Sequence, residues 1–255
     1  MIDIHSHILY NVDDGPSSLE QSIEMLQKAA DEGITEIIST SHSYHPQYDV
    51  PYHVVIEQVK QLQDELERRQ IPLKLHTGHE VRLNDKLVDL YLNKYVHTLA
   101  NSNYLLLELP SNSVPHYTKN IVRALVAEGI TPVIAHPERN KGIAEKPERL
   151  ERLIRDGAVA QITSGSLSGH FGRSIQKLSL DLVRANLVHL YGSDAHNIST
   201  RPFLFDKGLS YLAKQKLSDY VDIFLNNNIY LLENKPLDIL EPTTVINKRW
   251  WNPFK

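Results

Sequence analysis

The sequence contains no cysteine. That absence removes disulfide frameworks, Cys-ligated zinc, iron–sulfur clusters and every enzyme that works through a thiolate, the thiolate tyrosine phosphatases included. Basic charge is also short. Lys and Arg total 27 against 31 Asp and Glu, a net charge of −4, whereas a domain that grips nucleic-acid backbone is normally basic. No run approaches the roughly 18 consecutive apolar residues that a bilayer-spanning helix needs. Met1-Ile2-Asp3-Ile4-His5 also lacks the basic segment and apolar stretch of a secretory signal. The expected compartment is cytoplasmic. Glycine, normally among the commonest residues, numbers 11 and is outnumbered by 13 histidines. Hydrophobic residues make up 41% and charged residues 23% of the 255, ordinary values for a soluble globular chain. One domain over residues 1–255 is expected, with a basic and aromatic tail from about residue 241.

No fixed repeat is present. What recurs is a strand-like apolar run followed by an amphipathic helical pattern. The runs cover residues 1–4, 35–40, 73–78, 104–109, 131–135, 158–162 and 188–192. Between them, Leu19, Ile23, Leu26 and Ala30 carry helical spacing, with Ser17 and Glu20 at capping-box separation and Gly33 as a stop. Further helices are expected near 52–70, 117–128, 147–156, 172–185, 206–214 and 218–227. Seven strands alternating with helices imply a parallel sheet, either closed into a barrel or open and doubly wound. The length suits a closed barrel with little to spare. The Gly-rich phosphate loop of a dinucleotide fold is missing after the first strand. His5-Ser6-His7 stands there instead.

The chemistry gathers where the strands end. His5 and His7 follow the first, His42 the second, and His79 and Glu80 the third. Glu108 lies near the end of the fourth, and His136, Glu138 and Arg139 follow the fifth. Thr163 and Ser164 follow the sixth, and Asp194 and His196 the seventh. Taken singly, each is more simply a surface or packing residue. Together they crowd the one face where barrel active sites are built. Imidazole and carboxylate in combination suit Zn, Fe or Mn. His53, His76, His97, His116 and His189 fall in helices, in strands or on their far side, and are expected to pack or face solvent. His45 and His170 lie in loops within reach of the site. His79 neighbours Glu80, so in an extended segment it points the other way and a supporting role is expected. Arg139 and Arg201 each follow a candidate ligand at the same mouth. A planar guanidinium matches a phosphate group better than any other side chain.

These residues carry a family resemblance. His5-Ser6-His7, Asp13-Asp14-Gly15, His42, Glu80-Val81-Arg82, Glu108, His136-Pro137-Glu138-Arg139-Asn140 and Ser193-Asp194-Ala195-His196 resemble the PHP (polymerase and histidinol phosphatase) superfamily. The Asp-Asp-Gly, the His-Pro-Glu-Arg-Asn stretch and Arg201-Pro202 point to the manganese-dependent protein-tyrosine phosphatases of Gram-positive capsule and exopolysaccharide loci. The resemblance runs from residue 1 to about 240. It implies a distorted TIM-like (β/α)7 barrel with its active site at the C-terminal strand ends and three divalent metal ions, Mn first, with Fe or Zn as alternatives. One ion would be held by His5, His7, Glu80 and Asp194. A second would share Glu80 and add Glu108 and His136, and a third would take Asp14, His42 and His196. Arg139 and Arg201 would meet the phosphate. His79 is the one departure, standing where a small or neutral residue is the pattern. The implied partner is a phosphotyrosine protein, in this branch a bacterial tyrosine kinase; no nucleic-acid partner is expected. The alternative activity is a histidinol-phosphate phosphatase or another PHP phosphoesterase, which shares the metals and differs in pocket shape. A docking module with idle metals is the reading from a different class, and the complete ligand set argues against it.

The end of the chain stands apart. Lys248-Arg249-Trp250-Trp251-Asn252-Pro253-Phe254-Lys255 holds both tryptophans beside three basic residues. Two roles fit: a latch packed on the barrel, or a weak peripheral membrane contact made by interfacial rings and cations.

Overall fold

Each of the seven apolar runs forms a strand in the computed structural model, which describes residues 1–243. The strands are β1 Ile2–Ser6, β2 Glu36–Ser43, β3 Lys74–Arg82, β4 Tyr104–Glu108, β5 Thr131–Ala135, β6 Val159–Thr163 and β7 Leu190–Gly192. All are parallel and pair in chain order. A bridge from Ser6 to Ala195 carries the far edge back to β1, so the sheet is a nearly closed barrel and not an open doubly wound one.

Helices wrap the outside: α1 Leu19–Asp31, α2 Tyr52–Arg68, α3 Leu87–Leu92, α4 Thr118–Ala127, α5 Lys141–Glu145, α6 Glu148–Arg155, α7 Ser164–Leu167, α8 Arg173–Arg184, α9 Phe205–Lys214 and α10 Ser218–Leu232. The long ones follow the apolar periodicity. In α1, for instance, Ile23, Leu26 and Ala29 are buried against the sheet. The N-cap of α1 is one residue later than the capping-box spacing suggested. Ser18 Oγ accepts from the Gln21 N–H at 3.4 Å, while Gln21 Oε1 accepts from the Ser17 N–H at 2.9 Å. The helices α3, α5 and α7, of six, five and four residues, escape the sequence pattern because they are too short to show a hydrophobic period.

Four strands run further than their apolar stretches. His5 lies inside β1, His42 inside β2, His79 and Glu80 inside β3 and Thr163 inside β6, rather than beyond the strand ends. Polar residues can continue a strand there because the barrel interior turns polar toward its C-terminal mouth. Below that mouth it is apolar: Ile4, Ile38, Leu106, Val133, Val159 and Leu190 form one buried cluster, closed underneath by Leu99 and Leu231. Each such side chain stabilises the fold by about 1.5–3 kcal/mol when fully buried, and together they make a dry floor.

Seven strands leave a seam between β1 and the short β7, and α10 closes it. The buried Asn228 accepts from the Tyr191 N–H at 3.2 Å and donates to Ile2 O at 2.8 Å and Tyr191 O at 2.7 Å. A side-chain amide thus replaces the missing ladder at the point where strand-edge groups would otherwise be unpaired. The described end of the chain docks on the outer layer: Thr243 N–H donates to Ala185 O at 2.8 Å, and Asn186 Nδ2 donates to Glu241 O at 2.9 Å. Trp250, Trp251 and their neighbours lie outside the described residues. Among the described residues no helix is long and apolar enough to cross a membrane.

Candidate metal centre

A bulge in β1 begins the site. Asp3 pairs with Ile37 but Ser6 pairs with Ser39, so three steps of β1 run against two of β2. Strict alternation would put Ile4 and His5 on opposite faces. The extra residue lets Ile4 join the apolar floor while His5 Nε2, above it, comes within 3.5 Å of Glu80 and 3.3 Å of Asp194. Bulges commonly re-aim side chains in this way next to active sites.

Three sets of ligand-type side chains converge above the floor: His5, His7, Glu80 and Asp194; Glu80, Glu108 and His136; and His7, Asp14, His42 and His196. Within each set one atom per residue lies within 4.8 Å of all the others. Glu80 belongs to two sets, each of its oxygens facing different imidazoles: Oε1 meets His136 Nε2 at 2.8 Å, and Oε2 meets His7 Nε2 at 3.3 Å and His42 Nδ1 at 3.2 Å. His7 also falls in two sets, but chemistry gives it to one. Its Nδ1 is bonded to Asp13 Oδ2 at 3.0 Å, leaving only Nε2 to point inward.

Supporting contacts aim each imidazole. The residue pattern singles out Asp14 as the ligand, and Asp13 beside it takes a supporting role that only the contacts reveal. The Asp13 side chain is fully buried and accepts from His7 Nδ1, from the His42 N–H at 3.2 Å and from the Gly15 N–H at 3.0 Å. Gln161, inside β6, meets His5 Nδ1 with Oε1 at 3.0 Å. It fits because residue 192 is glycine: a Cβ there would stand 2.9 Å from His5 Cβ and 3.0 Å from Gln161 Nε2. His196 Nδ1 donates to Asp194 O at 3.0 Å, which turns Nε2 toward Asp14, 3.1 Å away. Such partners fix the tautomer and ring orientation of a metal-ligating histidine. His136 and Asp194 themselves adopt positive φ, 33° and 54°, a strained backbone for non-glycine residues that is usual where side chains are aimed for function.

The electrostatics suit a cation. Burial pushes the carboxyls of Glu80 and Asp194 up, but the charges around them outweigh it: His5 and His42 for Glu80, and Arg139 and Arg201 for Asp194. Both are held well below the usual carboxylate range. Burial, helped by His7, lowers His196 to about 4, so it stays neutral, the form that ligates a metal. His5 Nε2, His7 Nε2, His42 Nδ1, His196 Nε2 and Asp194 Oδ1 are buried with no hydrogen-bond partner. Buried polar atoms are rarely left so. Their distances to facing oxygens, 3.1–3.6 Å, compare with about 3.0 Å between two ligands set at right angles around one ion at about 2.1 Å. The donor set fits divalent transition metals.

Arg139 and Arg201 reach the same mouth from the segments after β5 and β7. Both bond Asp194 Oδ2, Arg201 at 2.7 Å, and Arg201 also reaches Asp14 Oδ2 at 3.2 Å. The guanidinium of Arg139 lies 5.3 Å from the centre of the Phe171 ring. The two line a cavity of about 260 Å³ with Glu108, His136, Ser111 and Asn140. Both are thus salt-bridged to candidate ligand carboxylates at the mouth. Arg82 adds a third guanidinium, 2.8 Å from Glu108.

The remaining histidines separate cleanly. His76 pairs with Glu36 at 2.7 Å, His189 Nδ1 accepts from the Ala160 N–H, and His97 stacks on Tyr52. His45 stacks on His42 with ring centres 4.6 Å apart, at the edge of the centre. His170 Nε2 donates to Thr200 O at 2.7 Å and so braces the loop that carries Arg201. His79 packs edge-on against Tyr52 and His97, on the outer side of β3. Glu138 turns away from the mouth and accepts from Thr163 Oγ1 at 2.8 Å.

The family model described as capsular polysaccharide synthesis, CpsB/CapC, matches residues 1–233. The chain belongs to the CpsB/CapC family. It is 38% identical over 254 residues to the tyrosine-protein phosphatase YwqE of Bacillus subtilis, covering 100% of both chains. It is 38% identical over 251 residues to CapC of Staphylococcus aureus, covering 98% of each. Among solved structures, a chain from the crystal structures of YwqE and of Streptococcus pneumoniae CpsB, metal-dependent tyrosine phosphatases, superposes with a TM-score of 0.94 at 39% identity, over 96% of this chain and 99% of the other. The CpsB/CapC fold and this barrel are the same architecture.

Proposed function

We propose that the chain is a metal-dependent tyrosine-protein phosphatase of the capsular polysaccharide synthesis family, and that the three converging side-chain sets hold three divalent ions, manganese first. Family membership and the near-complete superposition on metal-dependent tyrosine phosphatases support the activity. The observation that carries the site is the group of buried, unpartnered imidazole and carboxylate atoms facing one another above the apolar floor.

His5, His7, Glu80 and Asp194 would hold one ion, Glu80, Glu108 and His136 a second, and Asp14, His42 and His196 a third. When bound, such ions act as Lewis acids and activate a water for attack on phosphorus. The carboxylates of Asp14, Glu80, Glu108 and Asp194 balance only part of the metal charge, leaving the mouth at about +2 before other anions bind, a field that draws in a phosphate dianion. Arg139 and Arg201 take the outer phosphate oxygens. Their hold on Asp194 Oδ2 aims both guanidinium groups before substrate arrives, so little reorganisation is needed as charge develops. A phenolate, with a pKa of about 10, leaves without strong acid assistance. The ring enters the cavity lined by Ser111 and Asn140. By the resemblance, the phosphotyrosine belongs to the flexible tail of a bacterial tyrosine kinase, met in the cytoplasm.

The test combines metal analysis with a substrate panel. Purified protein is expected to hold three ions and to hydrolyse phosphotyrosine peptides, to lose activity on exhaustive chelation, and to regain it with Mn. His5→Ala, Glu80→Ala and Asp194→Ala should each abolish turnover. Full activity after chelation, or much higher kcat/KM on histidinol phosphate than on phosphotyrosine peptides, would overturn the reading.

A further inference from the structure

A second cleft lies one strand thickness away from the metal centre. Glu80 and His79 are neighbours on β3 and point to opposite sides. Glu80 faces the metal ligands. His79, fully buried, faces outward and packs edge-on against Tyr52 and His97, ring centres 5.5 and 5.8 Å away. Tyr52 and His97 stack on each other at 3.3 Å. That stack helps line a cleft of about 470 Å³ whose rim carries Tyr44, Ile56, Lys94 and Tyr95.

The rim is unusual for a protein surface. Tyr95 is 63% exposed, Ile56 48% and Tyr44 36%. Large apolar side chains exposed together around one concavity mark a binding site more often than chance placement. The wall between the cleft and the metal centre is the loop of residues 43–50, and it is pinned at both ends. Val50 N–H donates to His42 O at 2.9 Å, and Tyr44 N–H donates to Asp49 Oδ1 at 2.9 Å. One side of this loop presents His45, stacked on the candidate ligand His42. The other presents Tyr44 to the cleft. Asp49 is exposed and held to its own loop through Oδ1, and Lys94 is the cation exposed on the rim.

We propose that this cleft docks the substrate polypeptide beside its phosphotyrosine, taking an apolar or aromatic side chain that has an acidic neighbour. The proposal rests on the phosphotyrosine-protein reading above. A polypeptide whose phosphorylated side chain enters the mouth must continue across the rim, and the loop of residues 43–50 is the wall the two sites share. The aromatic rim answers an apolar side chain, and Lys94 answers a carboxylate. An aryl phosphate without a polypeptide would fill the mouth and leave the cleft untouched.

The experiment compares two substrates on the intact metal-loaded protein. One is a small aryl phosphate; the other is a set of phosphotyrosine peptides with and without an apolar residue and an acidic residue near the phosphotyrosine. Tyr95→Ala combined with Ile56→Ser is expected to raise KM for the apolar, acidic peptide by about tenfold, the scale of losing a real contact residue, with kcat and the aryl-phosphate kinetics unchanged. Lys94→Glu should abolish the preference for the acidic neighbour, and Tyr95→Phe should keep it. Equal losses on peptide and aryl phosphate, or no loss on either, would overturn the proposal. A wild-type protein that turns over the aryl phosphate and no phosphopeptide would overturn the phosphotyrosine reading itself, and the docking site with it.

Discussion

Asp13 offers the sharpest test of how the centre is built. Its Oδ2 accepts from His7 Nδ1 at 3.0 Å and from the His42 N–H at 3.2 Å, and its Oδ1 accepts from the Gly15 N–H at 3.0 Å. Asp13→Asn keeps one carbonyl oxygen. Placed where Oδ2 is, that oxygen still serves His7 and His42, while the new NH2 turns against the Gly15 N–H, donor against donor. The imidazole of His7 loses its carboxylate partner and becomes a weaker ligand. Loss of such an outer partner weakens metal affinity by about 10–100-fold, or about 1.4–2.8 kcal/mol. Asp13→Ala goes further and leaves three donors unpaired, two of them on the buried His7 and His42. At about 1 kcal/mol or more for each unpaired donor the fold loses about 3 kcal/mol, which for a chain of this size lowers Tm by roughly 6–12 °C. Competition with a chelator reads the affinity, and thermal unfolding of metal-free protein reads the fold. Saturating metal should restore most of the Asn variant's kcat, since Asp13 acts through His7 and not on substrate. An Asn variant that folds like wild type and binds metal as tightly would refute the reasoning.

Other outcomes follow from separate contacts. Arg139→Ala and Arg201→Ala should each cost about 10²–10³ in kcat with three ions still bound, as read by steady-state kinetics beside metal analysis; loss of metal would mean that the arginines hold Asp194 and not phosphate. Asn228→Ala leaves three buried backbone groups of the β1–β7 seam without partners, so denaturant unfolding should show a loss of about 3 kcal/mol or more. Burial lowers His189 to about 4 from its ordinary 6.5, so between those values the unfolded chain binds more protons than the folded one. Stability is therefore lost as pH falls from 6.5 toward 4, by roughly 3 kcal/mol in total, and His189→Asn should remove about that much of the acid sensitivity measured on metal-free protein.

The chain's own pattern was enough to place the candidate ligands at one end of a parallel sheet. Apolar runs marked all seven strands, and the polar residues at their ends were informative because only one face of such a sheet collects every strand terminus. The alternation of strand and helix, however, serves a barrel and an open sheet equally. Closure depended on contacts far apart in sequence: the Ser6–Ala195 bridge and Asn228, which lies 226 residues from Ile2. Periodicity also misjudged β1. Strict alternation separates Ile4 from His5, and only the pairing register with β2 reveals the bulge that brings both inside. The supporting residues were hidden for a related reason. Asp13 is one more acid in an acidic loop and Gln161 one more polar residue in a strand, until folding sets each against a particular ring nitrogen. The candidate ligands follow from residue type and strand position, which are local properties of the chain. Tautomer, aim and closure arise from groups that meet only when the barrel forms, and no local pattern encodes such meetings.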